Sequence, residues 1–353
     1  NNSTITDLSS HKLAAENILQ ILEEAGISVD AVGHRFVHGG TFFDHTVKVD
    51  ESVMERLRQC VAFAPLHTPN SNSVIEVCCE HLPGVPQYAV FDTAFHTGMP
   101  QVSRQYAIPR DLAEKYGLRK FGFHGLSYQF VSARMAELLE QPLELLKLIM
   151  CHLGTGGSSV VAFKDGRSMD TSMGFSPLQG LVMSTRCGDI DAEVALELVR
   201  QGFSADEVSK IFNNQSGLIG LSGFSSNLNE IIEAGEQGNA ACQLAFDVYA
   251  QRLGHYLGAY QWLLNGADAI VFTDDVGLKS WQLREKVCSG VDALGVKIDV
   301  EANRRAAVNQ AGRVSTADSR TQIWVVPTDE ELVILREVLT LMYALNFYTV
   351  VLC

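Results

Sequence analysis

An α/β chain in two domains is what this sequence predicts, on three observations. Short apolar runs of strand length alternate with amphipathic helix patterns, and no repeat or low-complexity segment interrupts them. Glycines and polar residues cluster where the apolar runs stop, which is where open α/β sheets bind ligands. And 353 residues exceed what one average core holds.

Taken in order, residues 12–25 set Leu13, Ile18, Leu19, Ile21 and Leu22 at helical spacing and stop at Gly26. Residues 31–37 read as a strand running into His38-Gly39-Gly40, and 52–64 and 71–81 as two more helices. Residues 87–91 form a short apolar strand that delivers Asp92 and His96 at its carboxyl end. The run 146–151 is another strand, ending in His152-Leu153-Gly154-Thr155-Gly156-Gly157-Ser158. Residues 159–163 and 167–171 flank Asp165-Gly166, the strongest hairpin signal in the chain. Residues 269–272 and 323–326 complete the buried strands. The longest apolar helix pattern, 241–264, carries Asp247, Arg252 and His255, so it reads as a core helix.

Composition excludes some functions. The balance of 27 Lys plus Arg against 41 Asp plus Glu gives −14, a field that repels nucleic acid and anionic lipid, so neither is expected as a partner. An anionic substrate would need arginines gathered locally. The eight cysteines form no CxxC pair and read as reduced, buried thiols. With no leader pattern and no apolar run of about eighteen residues, a cytoplasmic location is expected. Asn1 in place of Met is read as a start other than the native one.

Five segments concentrate the chemistry-bearing residues. They are Gly33-His34-Arg35-Phe36-Val37-His38-Gly39-Gly40, Ala64-Pro65-Leu66-His67-Thr68-Pro69-Asn70, Phe91-Asp92-Thr93-Ala94-Phe95-His96 and Phe121-Gly122-Phe123-His124-Gly125. The fifth is Asp170-Thr171-Ser172-Met173-Gly174-Phe175-Ser176-Pro177-Leu178-Gln179-Gly180, continuing to Thr185-Arg186-Cys187-Gly188-Asp189-Ile190-Asp191. Singly, each has a plain reading: an arginine near glycines is usually a solvated loop residue, and a histidine such as His124 is more often a packing residue than a catalyst. No histidine pair has the spacing of a zinc motif.

Together, in this order, the segments resemble the signatures of the acetate kinase family, acetate and propionate kinases, from Val32 through Leu332. The resemblance implies the acetate-and-sugar-kinase, Hsp70 and actin class of fold, which is ribonuclease H-like. It implies a first domain of 1–96 plus 331–353 and a second of 97–330, with an active site in the cleft and a homodimer formed through the second domain. The activity implied is phosphoryl transfer between ATP and acetate or another short carboxylate, with Mg²⁺ as cofactor. Arg35 and Arg186 match the two family arginines that hold carboxylate and phosphoryl oxygens. His124 matches the histidine that donates to the transferring group, Asp92 the aspartate near metal and substrate, and Glu330 the carboxylate associated with Mg²⁺. Val37, Leu66, Phe123 and Pro177 match the acyl pocket. His67, His152, Gly154, Thr155, Gly156, Asn227, Asn229, Asp275, Val276 and Gly277 fall at the phosphate and nucleotide positions.

The departures fall on the nucleotide side. The family's Gly-Gly-Ile-Gly-Glu-Asn-Ser loop is here Asp274-Asp275-Val276-Gly277-Leu278-Lys279-Ser280, its Asp-Phe-Arg is Asn227-Leu228-Asn229, and its His-x-Gly-Asn-Gly is His152-Leu153-Gly154-Thr155-Gly156. The family's opening strand and Asn/Ser/Lys turn have no counterpart in these residues. Two aspartates in place of glycines add negative charge where a polyphosphate is expected. Three readings stay open on the sequence: an ATP-dependent acetate kinase, a relative using inorganic phosphate or pyrophosphate, and a non-catalytic member.

Overall fold

A computed structural model describes residues 10–64 and 67–351. The chain divides into two compact units, one of Asn1–Thr97, Phe123–Leu126 and Asp329–Cys353, the other of Gly98–Gly122 and Ser127–Thr328.

The first unit is built on a three-stranded sheet: β1 (Val32–Phe36), β2 (Val47–Lys48) and β3 (Gln87–Phe91), in the order β1-β3-β2. β1 and β3 are parallel, with Arg35 opposite Val90 and Phe36 opposite Phe91, and β2 runs antiparallel to β3. All five residues of β3 are buried, which is why it is continuously apolar or neutral, whereas β1 buries only His34 and Phe36. Phe36, Phe43, Leu57, Cys60, Ile75, Ala89 and Phe91 form the core. Phe43 stacks on Phe91 with ring centroids 4.8 Å apart.

The helix His11–Glu24 starts where the Ser10 hydroxyl accepts the Leu13 N–H, and it packs on the helix Thr68–His81. Such a cap is worth about 1 kcal/mol. The helix expected over 52–64 begins on Asp50, whose carboxylate accepts the Val53 N–H at 2.8 Å, but ends at Gln59. Cys60–Ala62 continue as a tighter 3₁₀ turn that brings the Cys60 side chain inside, a common way for a helix to end. The last helix, Glu330–Val351, returns to pack on β1 and opens with Glu330 and Glu331.

The second unit carries a six-stranded sheet: β4 (Leu148–Leu153), β5 (Ser158–Lys164), β6 (Arg167–Thr171), β7 (Ala269–Thr273), β8 (Gly312–Arg313) and β9 (Gln322–Val325). The order is β6-β5-β4-β7-β9-β8. β4, β7 and β9 are parallel neighbours and are buried along much of their length; the outer strands pair antiparallel. The β5–β6 hairpin turns through Asp165 at φ 54° and Gly166 at φ 71°, the two left-handed residues that a tight hairpin turn requires.

The helices Leu228–Glu236 and Ala240–Leu263 supply much of this unit's core. The longer one buries Cys242, Ala245, Tyr249, Leu253 and Leu257, although its end exposes Trp262. Among the described residues no helix is long and apolar enough to cross a membrane.

One expectation is corrected here. Residues 274–280, read as a loop, contain the helix Asp274–Lys279, entered through Asp274 at φ 63°. Its last carbonyls are satisfied from outside: the buried Arg284 guanidinium donates to the carbonyls of Gly277 at 2.7 Å and Leu278 at 2.9 Å. That capping partner lies beyond the segment, so the segment alone reads as a turn.

Candidate active site

In the first unit the strand register gathers three charges. Arg35 ends near the top of β1, and Asp92 follows β3, its N–H bonded to the Phe36 carbonyl at 2.9 Å. The guanidinium forks onto the Asp92 carboxylate, Nε to Oδ1 at 3.2 Å and Nη2 to Oδ2 at 2.9 Å. Its Nη1 lies 2.6 Å from Glu330 Oε2, at the start of the last helix. The Asp92 side chain is 2% exposed, a burial that would be costly without this partner, while Arg35 is 40% exposed and reachable by an anion.

His124 has φ at 59°, a left-handed conformation that is uncommon for a residue other than glycine. The next residue makes the arrangement possible. A Cβ on Gly125 would stand 1.9 Å from the Asp92 carbonyl oxygen, so only glycine fits there. Phe123 is buried and meets the buried His38 ring edge-on at 5.5 Å, and the Phe123 carbonyl is 2.9 Å from His96 Nε2. His38 also stacks on Phe63. Val37 directly follows β1 and is half-buried. His67 stands at the N-terminus of the helix Thr68–His81, in this unit rather than with the other phosphate candidates. Leu66 lies outside the described residues.

In the second unit Arg186 donates from Nη1 to the Pro177 carbonyl at 3.2 Å. Burial pulls its guanidinium below the ordinary arginine range. The segment that carries it is pinned on both sides. Thr185 Oγ1 donates to the Asn213 carbonyl and the Cys187 N–H to the Phe212 carbonyl, both in a π-helical turn, Ile211–Gln215. Asp189 accepts the Gly180 N–H at 3.0 Å and the Tyr256 hydroxyl at 2.7 Å, and its Oδ2 lies 3.3 Å from Arg252 Nη1.

The parallel pairing of β4 with β7 sets His152 opposite Thr273, so the residues after both strands leave from the same end of the sheet. His152 is buried, with Nδ1 2.9 Å from Ser127 Oγ and Nε2 3.1 Å from Asp274 Oδ2. Gly154 donates to the Gly157 carbonyl at 3.1 Å, closing the glycine loop. Asp275 Oδ1 accepts the Thr155 N–H, and the Thr155 carbonyl accepts from Ser184 Oγ. Nothing lies within 4 Å of a Cβ placed on Gly156. Val276 and Gly277 are buried in the helix Asp274–Lys279. Asn227 is the N-cap of the helix Leu228–Glu236, its Oδ1 accepting the Asn229 N–H at 2.9 Å, and Asn229 is exposed on the first turn.

The structure thus brings Arg35, Asp92 and Glu330 onto one guanidinium, and His152, Gly154, Thr155 and Asp275 into one loop cluster. Sequence reasoning gave no role to Asp189, Gly125 or Ser127. Asp189 and Gly125 lay inside quoted segments, but their parts depend on contacts with Tyr256, Arg252 and the Asp92 carbonyl that spacing does not reveal.

A family model described as the acetokinase family matches residues 1–336. The acetate kinase of Dictyoglomus thermophilum is 45% identical over 338 residues, 94% of this chain and 84% of that protein. The crystal structure of Porphyromonas gingivalis acetate kinase superposes with a TM-score of 0.89 at 37% identity, covering 96% of this chain and 86% of that one. That of a propionate kinase from Francisella tularensis gives 0.87 at 36% identity, covering 92% and 83%.

Proposed function

The chain belongs to the acetokinase family, and we propose that it transfers a phosphoryl group between ATP and acetate, forming or using acetyl phosphate. The fold is that of the acetate-and-sugar-kinase, Hsp70 and actin class. The observation that carries the reading is the Arg35 guanidinium held by Asp92 and Glu330, with Gly125, the residue after His124, packed on the Asp92 carbonyl. Phosphoryl transfer needs charge neutralisation and alignment more than covalent chemistry. A fork already oriented on buried Asp92 meets an incoming carboxylate with little reorganisation, and only in the transition state does its full charge count. His124 donates to the transferring group, and Arg186 neutralises charge on it.

Mg²⁺ fits the same residues. Magnesium is usually held by one or two carboxylates together with phosphates and water. Asp92 and Glu330 converge on one guanidinium, and no group of three or more His, Cys, Asp or Glu that could hold a metal ion occurs among the described residues. These two side chains would hold the ion, which when bound neutralises charge on phosphoryl oxygens. Within the first unit, half-buried Val37 and buried Phe123 are proposed to line the acyl pocket.

A homodimer is supported by the helix Ala192–Arg200, which buries none of its residues although Val194, Leu196 and Val199 are 40–50% exposed apolar side chains. Ile190 and Phe203 extend that apolar face. Sedimentation velocity tests it, with a monomer as the adverse result. The activity itself is tested by trapping acetyl phosphate as its hydroxamate from Mg-ATP and acetate. Folded protein that forms none would sink the proposal.

A further inference from the structure

Two carboxylates of this chain already occupy donors of the glycine loop after β4. Asp275 Oδ1 accepts the main-chain N–H of Thr155 at 2.9 Å, together with that of Val276 at 2.8 Å. Asp274 Oδ2 lies 3.1 Å from His152 Nε2. The same Asp274 oxygen packs on the Cα side of Gly154, where an added Cβ would stand only 2.2 Å from it. An imidazole and a backbone amide, the donor types that cradle phosphates in glycine-rich loops, are therefore both turned onto internal anions.

The backbone shows that this arrangement is held against a cost. Asp274 adopts φ 63°, a conformation glycine takes freely and a side chain does not. A strained residue kept at a site by its contacts is the kind of observation from which function can be argued.

We propose that Asp274 and Asp275 are specificity determinants for the phosphoryl donor: they act as internal anions on the loop of residues 152–158, which a polyphosphate must displace to bind. The inference rests on the reading of the chain as an ATP-dependent carboxylate kinase and adds which residues limit its grip on the nucleotide. A phosphate tail meets the pair twice, as competitors for the Thr155 and His152 donors and as like charges. Acetate meets neither, since its proposed contacts lie with Arg35. The plain alternative is that the two aspartates merely organise the loop and the first turn of the short helix. The alternatives differ in sign. Removing a structural tie loosens the loop and weakens phosphate binding, whereas removing an occupant tightens it.

The test is calorimetric titration of Mg-ATP into the unmodified protein, the Asp274→Asn/Asp275→Asn variant and the Asp274→Gly/Asp275→Gly variant. The asparagine pair removes charge at nearly constant shape, and the glycine pair also relieves the backbone at 274. Both variants are expected to bind Mg-ATP about tenfold or more tightly than the unmodified chain, with the acetate KM changed by less than about twofold. Affinities equal within about twofold in all three proteins, weaker binding in the variants, or no binding by any of them would overturn the inference. The donor reading is judged separately, by hydroxamate trapping in the same three proteins. Should none make acetyl phosphate from Mg-ATP and acetate, that reading fails, while tighter binding by the variants would still support the internal anions.

Discussion

Arg35 Nη1 and Glu330 Oε2 stand 2.6 Å apart, joining the first strand to the first turn of the last helix, while the other edge of the same guanidinium holds buried Asp92. The two carboxylates keep the fork in one plane and one position before any substrate arrives.

Truncating that fork should therefore be costly in two measurable ways. Arg35→Ala is expected to lower turnover about a hundredfold or more, and Arg186→Ala similarly, the scale of losing one transition-state electrostatic partner. Arg35→Ala should also melt lower, because it leaves the buried Asp92 carboxyl without its guanidinium partner. Arg35→Lys keeps the charge but not the fork, so most of the stability should return without most of the turnover. Turnover within about twofold for both alanine variants would remove the two arginines from the chemistry.

Glu330→Gln separates the metal from the acyl substrate. If Glu330 helps to hold magnesium, the variant should require more Mg²⁺ for half-maximal rate while the acetate KM moves little. An unchanged Mg²⁺ dependence would leave Glu330 as a partner of Arg35 only.

His124 combines a proposed catalytic side chain with a left-handed backbone at φ 59°. His124→Ala would mix the two effects, since alanine is strained there. His124→Gly and His124→Asn tolerate the backbone. Both are expected to hold the melting temperature and yet lose turnover by about a hundredfold or more. A glycine variant that keeps full turnover would place His124 among the packing residues.

The readable and unreadable parts of this molecule divide along physical lines. Buried strands announce themselves as apolar runs, and residues at their ends, Arg35, Asp92 and His152, were visible because polarity changes abruptly there. The β5–β6 hairpin was visible because Asp165-Gly166 is a local signal. The helix Asp274–Lys279 was not, because what caps it is the guanidinium of Arg284. Nor did the sequence reveal that Asp274 and Asp275 face inward onto His152 and Thr155. That follows from the parallel register of β4 and β7, a pairing of distant segments. Asp189 belongs to the same class, its meaning residing in Tyr256 and Arg252 on another helix.

Val37 bears on acyl choice. It follows Arg35 by two residues, is half-buried, and is proposed to line the acyl pocket with Phe123. Acetate should be preferred to propionate by the modest margin one methylene allows, about 1–3 kcal/mol. Val37→Ala is expected to narrow the ratio of the two kcat/KM values by raising the propionate term. An unchanged ratio would take Val37 out of the pocket.

Alkaline pH should unfold this protein through its buried thiols. Burial pushes Cys60 and Cys288 up to about 12 from an ordinary value of 9.0, and Cys151 well above it. Each keeps its proton in the folded chain and releases it when unfolded. Their stabilising contribution is therefore whole below pH 9.0 and is lost as pH climbs toward the folded values. Arg284 runs the other way. Burial lowers it from 12.5 to about 10, so its destabilising charge is shed only above that. Between pH 9 and 10 the thiols lead, and each can steepen the loss by up to about 1.4 kcal/mol per pH unit. The thermal midpoint should fall across that interval. Cys288→Ala, which removes one of these protons, should fall less steeply than the unmodified protein, even if packing loss starts it lower. Parallel slopes for the two proteins, measured by circular dichroism melts through the interval, would mean that Cys288 does not drive the alkaline loss.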